Sequence, residues 1–219
     1  MMAFFAWEEV IVVQNIDGRL PLVAILRGLE PGNAVAVGKT LVECGFDIIE
    51  VPLNSPDPLT SIAAMVEALS NEALIGAGTV LSEGQVDDLA GIGAKLVVSP
   101  NCNPAVIRRS AAHGMRSIPG VVTPTEMFAA LEAGASGLKL FPAEMSSPAA
   151  IKAVRAVLPH GVPLLAVGGI HAGNMRDYLE AGATGFGIGG SLFKPGKSLA
   201  EIAENACGIV AAFKAAQAD

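Results

Sequence analysis

Short apolar runs alternate with longer amphipathic segments along the chain from Pro21 onward. Turn residues, mostly glycine, proline, asparagine and serine, separate the two kinds of segment. The apolar runs predict eight strands, at residues 22–27, 46–51, 73–77, 95–98, 115–118, 136–141, 163–167 and 184–188. The segments that follow them predict eight helices, near residues 31–44, 57–69, 83–91, 103–112, 124–133, 148–157, 172–181 and 198–216.

This regular repeat predicts an α/β fold, a single-domain (β/α)8 TIM barrel. An open doubly wound sheet is the alternative arrangement of the same repeat. No linker divides the chain after Pro21, so we expect the barrel domain to span residues 20–219. Residues 1–19 are apolar at first but are interrupted by Glu8 and Glu9, which predicts a short N-terminal helix, neither a signal peptide nor a membrane span.

Composition narrows the possible functions. Hydrophobic residues make up 52% of the chain and charged residues 16%, which indicates a large core and excludes general disorder. The net charge is −7, and the longest basic cluster is Arg108–Arg109, so we expect no nucleic-acid or membrane partner. Three cysteines, Cys44, Cys102 and Cys207, lack the spacing of a metal site, and we expect them to be free thiols in a reducing cytoplasm.

Three ionisable residues lie late in the apolar strands, where a barrel of this kind carries its chemistry. They are Arg27, Glu50 and Lys139. Because side chains alternate along a strand, Lys139 and Phe141 share one face, which we assign to the barrel interior. The neighbouring Leu138 and Leu140 then face the helices.

A lysine in this position is a candidate Schiff-base nucleophile. Burial and a nearby Arg27 both disfavour the ammonium form of Lys139, and the neutral amine is the nucleophile. Glu50 could move the protons that imine chemistry requires. The alternative is structural: Lys139 pairs with Glu50 and fills the barrel mouth, with Glu50 the counter-ion of Lys139 or Arg27.

Glycine pairs follow the last two predicted strands. Gly168–Gly169 and Gly189–Gly190–Ser191 would offer bare backbone N–H groups, with a short helix at residues 191–193, as a phosphate-binding cup. Plain tight turns are the structural alternative. Thr79 and Pro100 follow the third and fourth strands on the same rim, where they could line a carboxylate or keto site.

These segments together resemble a known family, the class I aldolases of 2-keto-3-deoxy-6-phosphogluconate and 2-dehydro-3-deoxy-6-phosphogalactonate. The resemblance extends from about Leu20 to about Lys197, with every block in the family's order. It rests on ILRG (25–28), IEVPLNSP (49–56), IGAGTVL (75–81), VSPN (98–101), IPG (118–120), LKLFPAE (138–144), AVGGI (166–170) and IGGSLF (188–193).

The resemblance implies a homotrimeric barrel that uses no metal and no cofactor and acts on a phosphorylated keto acid. It implies that Lys139 forms the Schiff base, that Glu50 is the general acid/base, and that pyruvate and D-glyceraldehyde 3-phosphate are the products. The implied binding residues are Arg27, Thr79 and Pro100 for the pyruvoyl end, Phe141 beside the imine, and Gly168, Gly169, Gly189, Gly190 and Ser191 for the phosphate.

Two departures from the gluconate-type sequence pattern bear on which C4 epimer is the substrate. Gluconate-type enzymes typically carry a threonine where this chain has Val167, and an arginine where it has Asn54. Both departures resemble the galactonate branch of the family. Valine cannot hydrogen-bond a hydroxyl that points at it, so an epimer with its C4 hydroxyl in that direction would bind less well by about 1–3 kcal/mol. The gluconate epimer remains the alternative substrate. Two alternatives belong to other functional classes: a sugar-phosphate epimerase and a binding protein on the same barrel. Either would tolerate Lys139→Met.

Overall fold

The computed structural model describes residues 16–217, and within them nine parallel strands form one sheet. All eight predicted strand positions are occupied, so the α/β barrel is confirmed. The strands are β1 (Leu22–Ile25), β2 (Ile48–Pro52), β3 (Leu74–Gly78), β4 (Leu96–Val98), β5 (Arg116–Ile118), β6 (Gly120–Val121), β7 (Leu138–Leu140), β8 (Leu164–Val167) and β9 (Gly185–Ile188). Their order in the sheet is β5-β4-β3-β2-β1-β9-β8-β7-β6.

The two ends of this sheet meet at Pro119. Strands β5 and β6 are consecutive in the chain and occupy one barrel position; β5 pairs with β4, and β6 pairs with β7. Proline has no N–H for the ladder, which divides the strand at this point. The Pro119 carbonyl still accepts a 2.9 Å hydrogen bond from the Lys139 N–H, and the Ser136 N–H donates to the Ser117 carbonyl at 2.8 Å. The barrel is therefore closed around β7.

Helices cover the outside of the barrel. Several begin as the sequence predicts: Asn103 and Ser147 each accept a backbone hydrogen bond at an N-cap, followed by proline at the first helical position. Within the described residues the helices are α1 (Ala34–Glu43), α2 (Pro58–Leu69), α3 (Glu83–Gly91), α4 (Pro104–Ala112), α5 (Pro124–Glu132), α6 (Pro148–Arg155), α7 (Met175–Glu180) and α8 (Leu199–Gln217). No helix in this range is long and apolar enough to cross a membrane.

Two apolar layers result from the alternation of side chains. Leu138 and Leu140 belong to the large core between strands and helices, as predicted. The barrel interior is a smaller cluster to which Phe141 and Val167 contribute. Lys139 lines a small space within that interior, which confirms the predicted orientation of β7.

The prediction of a helix over residues 1–19 is wrong for residues 16–19, which form a turn; the rest lies outside the described residues. Asp17 and Gly18 have φ values of 56° and 74°, a left-handed conformation that a right-handed helix excludes. The turn places Ile16, 3% exposed, in the barrel interior. An ion pair of 2.6 Å between Asp17 and Arg116 holds the turn across the amino end of the barrel.

The expectation of three free thiols is also wrong for two of them. Cys44, which follows α1, and Cys207, within α8, form a disulfide, whereas Cys102 is free. The two residues are 163 positions apart in sequence, with Cα atoms 4.8 Å apart. They meet because β1 and β9 are adjacent in the closed barrel, which makes α1 and α8 neighbours.

We expect Cys44→Ala to lower the free energy of unfolding by about 3 kcal/mol, because the cross-link restricts a long loop of the unfolded chain. Denaturant titration without reductant measures the change. Cys102→Ala is the matched control, expected to change stability much less. Wild-type stability that does not fall on adding dithiothreitol would contradict the prediction.

Candidate active site

The carboxyl ends of β1, β8 and β9 surround a cavity of about 620 Å³. The structure brings most of the predicted binding residues to this one place. Those that line it are Arg27, Phe141, Val167, Gly168, Gly169, Gly189, Gly190 and Ser191. A smaller space inside the barrel contains Lys139 and shares Ile25, Val167 and Gly187 with the cavity, so the lysine lies directly beneath it.

Lys139 is the middle residue of β7 and is 7% exposed. Its Nζ lies 4.3 Å from the centre of the Phe141 ring. Burial lowers the pKa of this amine; the Glu50 carboxylate opposes the shift and the Arg27 charge adds to it. The neutral, nucleophilic form of Lys139 is therefore more populated than that of a lysine in water.

Glu50, in β2, is 2% exposed. Burial raises the pKa of its carboxyl to about 7, against the lowering effects of Lys139, Arg27 and the Gly78 backbone. Its Oε2 has no hydrogen-bond partner among residues 16–217. A side chain at Gly78 would overlap this carboxyl group, so glycine is needed there. An acid with this pKa can both accept and donate protons near neutral pH.

Arg27 lies two residues beyond β1 and is exposed. Its Nη1 donates a 3.4 Å hydrogen bond to the Asn54 Oδ1, which follows β2. Its charge acts on both Glu50 and Lys139. The guanidinium is thus a cation at the edge of the cavity, above the buried pair, and can hold a carboxylate.

Thr79 and Pro100 lie at the same end of the barrel but do not line the 620 Å³ cavity. Both are half-buried and follow β3 and β4, on the side of Glu50 away from β8 and β9. Thr79 has a φ of 58°, a left-handed conformation that costs a β-branched residue energy and is found most often at functional sites. The structure therefore places these two residues on the rim, separate from the glycine pairs.

The glycine pairs form adjacent turns at the ends of β8 and β9. Gly168 and Gly169 have φ values of 115° and 63°, which only glycine adopts readily. The predicted helix at residues 191–193 is wrong: Leu192 and Phe193 both donate to the Gly189 carbonyl, at 2.9 and 3.0 Å, and the chain forms a turn. With no helix there, any binding of an anion depends on individual N–H groups and side chains.

Three further polar side chains, Glu144, His171 and Lys194, also face the cavity. Sequence reasoning missed Glu144 and Lys194 as lining residues, whereas His171 directly follows the Gly168–Gly169–Ile170 segment at the edge of the expected phosphate site. Glu144 ends the string LKLFPAE, which was noticed only for its lysine and phenylalanine. No group of three or more His, Cys, Asp or Glu side chains within residues 16–217 could hold a metal ion.

Known proteins resemble this chain over nearly its whole length. Residues 13–207 match the family described as Aldolase: KDPG and KHG aldolase. A probable 2-dehydro-3-deoxy-6-phosphogalactonate aldolase of Rhizobium meliloti is 52% identical over 89% of this chain and 92% of its own. The 2-dehydro-3-deoxy-6-phosphogalactonate aldolase of Escherichia coli is 46% identical over 90% of this chain and 97% of its own.

Solved structures give the same result. A structure described as native KDPGal superimposes with a TM-score of 0.89 at 46% identity, over 90% of this chain and 96% of that one. The 2-keto-3-deoxy-6-phosphogluconate aldolase of Zymomonas mobilis gives a TM-score of 0.78 at 27% identity, over 87% and 93% of the two chains. From its sequence match and its barrel with a buried lysine, this chain belongs to the KDPG and KHG aldolase family.

Proposed function

We propose that this aldolase, a lyase of class I, cleaves 2-dehydro-3-deoxy-6-phosphogalactonate to pyruvate and D-glyceraldehyde 3-phosphate. The observation that carries the proposal is the buried pair at the barrel mouth. Lys139 has a lowered pKa and Glu50 a raised one, which are the shifts that imine formation and proton transfer require. The two relatives named for this substrate are the ones about half identical to the chain.

The proposed reaction begins when the Lys139 amine attacks the C2 carbonyl carbon. The carbinolamine loses water, with Glu50 supplying the proton, and becomes an iminium. Glu50, now a carboxylate, takes the proton of the C4 hydroxyl while the C3–C4 bond breaks, and its electrons pass into the iminium to give an enamine. The aldehyde leaves, C3 takes a proton from Glu50, and water releases pyruvate and the free amine.

Binding of the two ends of the substrate follows from the charges around the cavity. We assign the C1 carboxylate to Arg27, with Thr79 and Pro100 on the adjoining rim, because the charge of the guanidinium acts on both residues of the buried pair. We assign the phosphate to Gly168–Gly169 and Gly189–Gly190–Ser191. Lys194 and His171 border these turns and add an ammonium group and an imidazole ring.

Borohydride reduction in the presence of pyruvate tests the central step. We expect a covalent adduct on the peptide that contains Lys139, found by mass spectrometry, and no adduct in Lys139→Met. Lys152→Met, which changes an exposed lysine of α6, is the control and should leave the adduct intact. An epimerase or a simple binding protein would form no adduct, and that result would reject the proposal.

Proton exchange of pyruvate tests the role of Glu50. Glu50→Gln should form the Lys139 adduct more slowly, because the amide cannot supply the proton for carbinolamine dehydration, and should exchange the methyl protons of pyruvate for deuterium at least about a hundredfold more slowly. Unchanged exchange would remove Glu50 from the proposed mechanism.

Val167 bears on the choice between the C4 epimers. It is buried, lines the cavity, and borders the space that contains Lys139. Its methyl groups cannot hydrogen-bond a hydroxyl, so the epimer that directs its C4 hydroxyl toward Val167 loses its water contacts without replacement.

We expect kcat/KM to favour the galactonate compound over the gluconate epimer, and Val167→Thr to reduce that preference by about tenfold. Val157→Thr, at an exposed position, is the matched control. A wild-type preference for the gluconate compound would reject our assignment and favour the alternative substrate.

We also propose that the enzyme is a cytoplasmic homotrimer. Six large apolar side chains are exposed within residues 16–217, and three of them form the candidate contact surface: Leu81 follows β3, Val122 follows β6 and Phe128 lies on α5. A phosphorylated substrate is retained inside cells by its charge, which favours the cytoplasm.

Light scattering should give three times the 22.2 kDa mass of the chain, and Phe128→Asp should lower the measured mass. A wild-type mass of one chain would contradict the trimer.

A further inference from the structure

One side chain in the cavity has no place in the mechanism above. Glu144 belongs to a single 3₁₀ turn, Ala143–Met145, directly after β7 and Phe141. A Cβ on Gly168 would overlap the Glu144 Oε2, and one on Gly169 would lie 3.0 Å from its Cγ. The carboxylate therefore lies against the backbone of the two glycines, inside the proposed cup.

A carboxylate is a poor neighbour for a phosphate. Two negative groups in contact repel, and an ionised carboxylate has no proton to donate to phosphate oxygens. Its partner in the cavity must be a hydrogen-bond donor. This carboxylate narrows the phosphate assignment above from both glycine segments to the Gly189–Gly190–Ser191 turn, where the Lys194 Cε would lie 3.7 Å from a Cβ on Gly190.

The proposed substrate supplies a donor at the matching position. Its C2 binds Lys139, its C3–C4 bond lies near Glu50 and Val167, and its phosphate lies at the far side of the cavity. The carbon between C4 and the phosphate end is C5, which carries a hydroxyl. Gly168 and Gly169 follow Val167 in the chain, and Glu144 lies against both glycines. In the proposed placement of the substrate, C5 passes beside this carboxylate.

We propose that Glu144 is a specificity-determining residue that accepts a hydrogen bond from the C5 hydroxyl, which is the 2-hydroxyl of the glyceraldehyde phosphate. This inference rests on the proposed function. Through this hydrogen bond, Glu144 makes the enzyme prefer aldehydes that carry a hydroxyl on the carbon next to the carbonyl.

The test uses the aldol direction with pyruvate and two aldehydes. D-glyceraldehyde 3-phosphate carries the hydroxyl, and 3-oxopropyl phosphate has the same aldehyde and phosphate without it. Glu144→Leu removes the acceptors and the charge, whereas Glu144→Gln removes the charge, keeps one acceptor oxygen and replaces the other with an NH2 group. Glu67→Gln, at an exposed position of α2, is the matched control.

We expect Glu144→Leu to lower kcat/KM for D-glyceraldehyde 3-phosphate by about tenfold and to change that for 3-oxopropyl phosphate by less than about twofold, since only one aldehyde loses a hydrogen bond. Glu144→Gln should retain part of the preference. An equal loss for both aldehydes, or a gain for both from relief of phosphate repulsion, would overturn the inference. If wild type forms no product from D-glyceraldehyde 3-phosphate, the proposed function fails first.

Discussion

The arrangement of this site depends on the removal of two ionisable groups from water. Lys139 and Glu50 lie in an apolar barrel interior, where burial is the largest influence on the pKa of each and shifts the two values toward one another. Desolvation favours the neutral amine and the neutral acid, and the charges of Lys139 and Arg27 prevent the carboxyl pKa of Glu50 from rising further. A solvated lysine and glutamate at the same separation would be an ordinary ion pair with little reactivity.

Close backbone approach makes room for this pair. Gly78 allows the Glu50 carboxyl group to lie against β3, and a Cβ on Gly187 would come within 2.7 Å of Val167 beside the lysine. These are positions in strands, where glycine ordinarily weakens the sheet. These glycines contribute no side chain to the barrel interior, and the large core between strands and helices supplies the packing instead. The mouth of the barrel therefore keeps open space beside the buried pair.

The barrel fold and the placement of Lys139 could be predicted from the sequence because both depend on local periodicity. The alternation of side chains in β7 places Lys139 inside and Leu138 outside, and Pro119 marks where one strand is divided. The turn at residues 16–19 could have been predicted as well, because Asp17–Gly18 is a typical turn dipeptide. The pairing of Cys44 with Cys207 depends on barrel closure, which brings together residues that no sequence spacing relates. Glu144 was overlooked for a similar reason, since its neighbours are the glycines that follow a different strand.

The position of Ile16 has a consequence for access to the buried lysine. This side chain occupies the barrel interior at its amino end, and the turn that carries it is fixed by the Asp17–Arg116 ion pair. Within residues 16–217 this turn lies across the amino end of the interior, and the space that Lys139 lines adjoins the cavity at the opposite end. In the proposed reaction, the departing aldehyde and the water that hydrolyses the remaining imine therefore use the same end of the barrel.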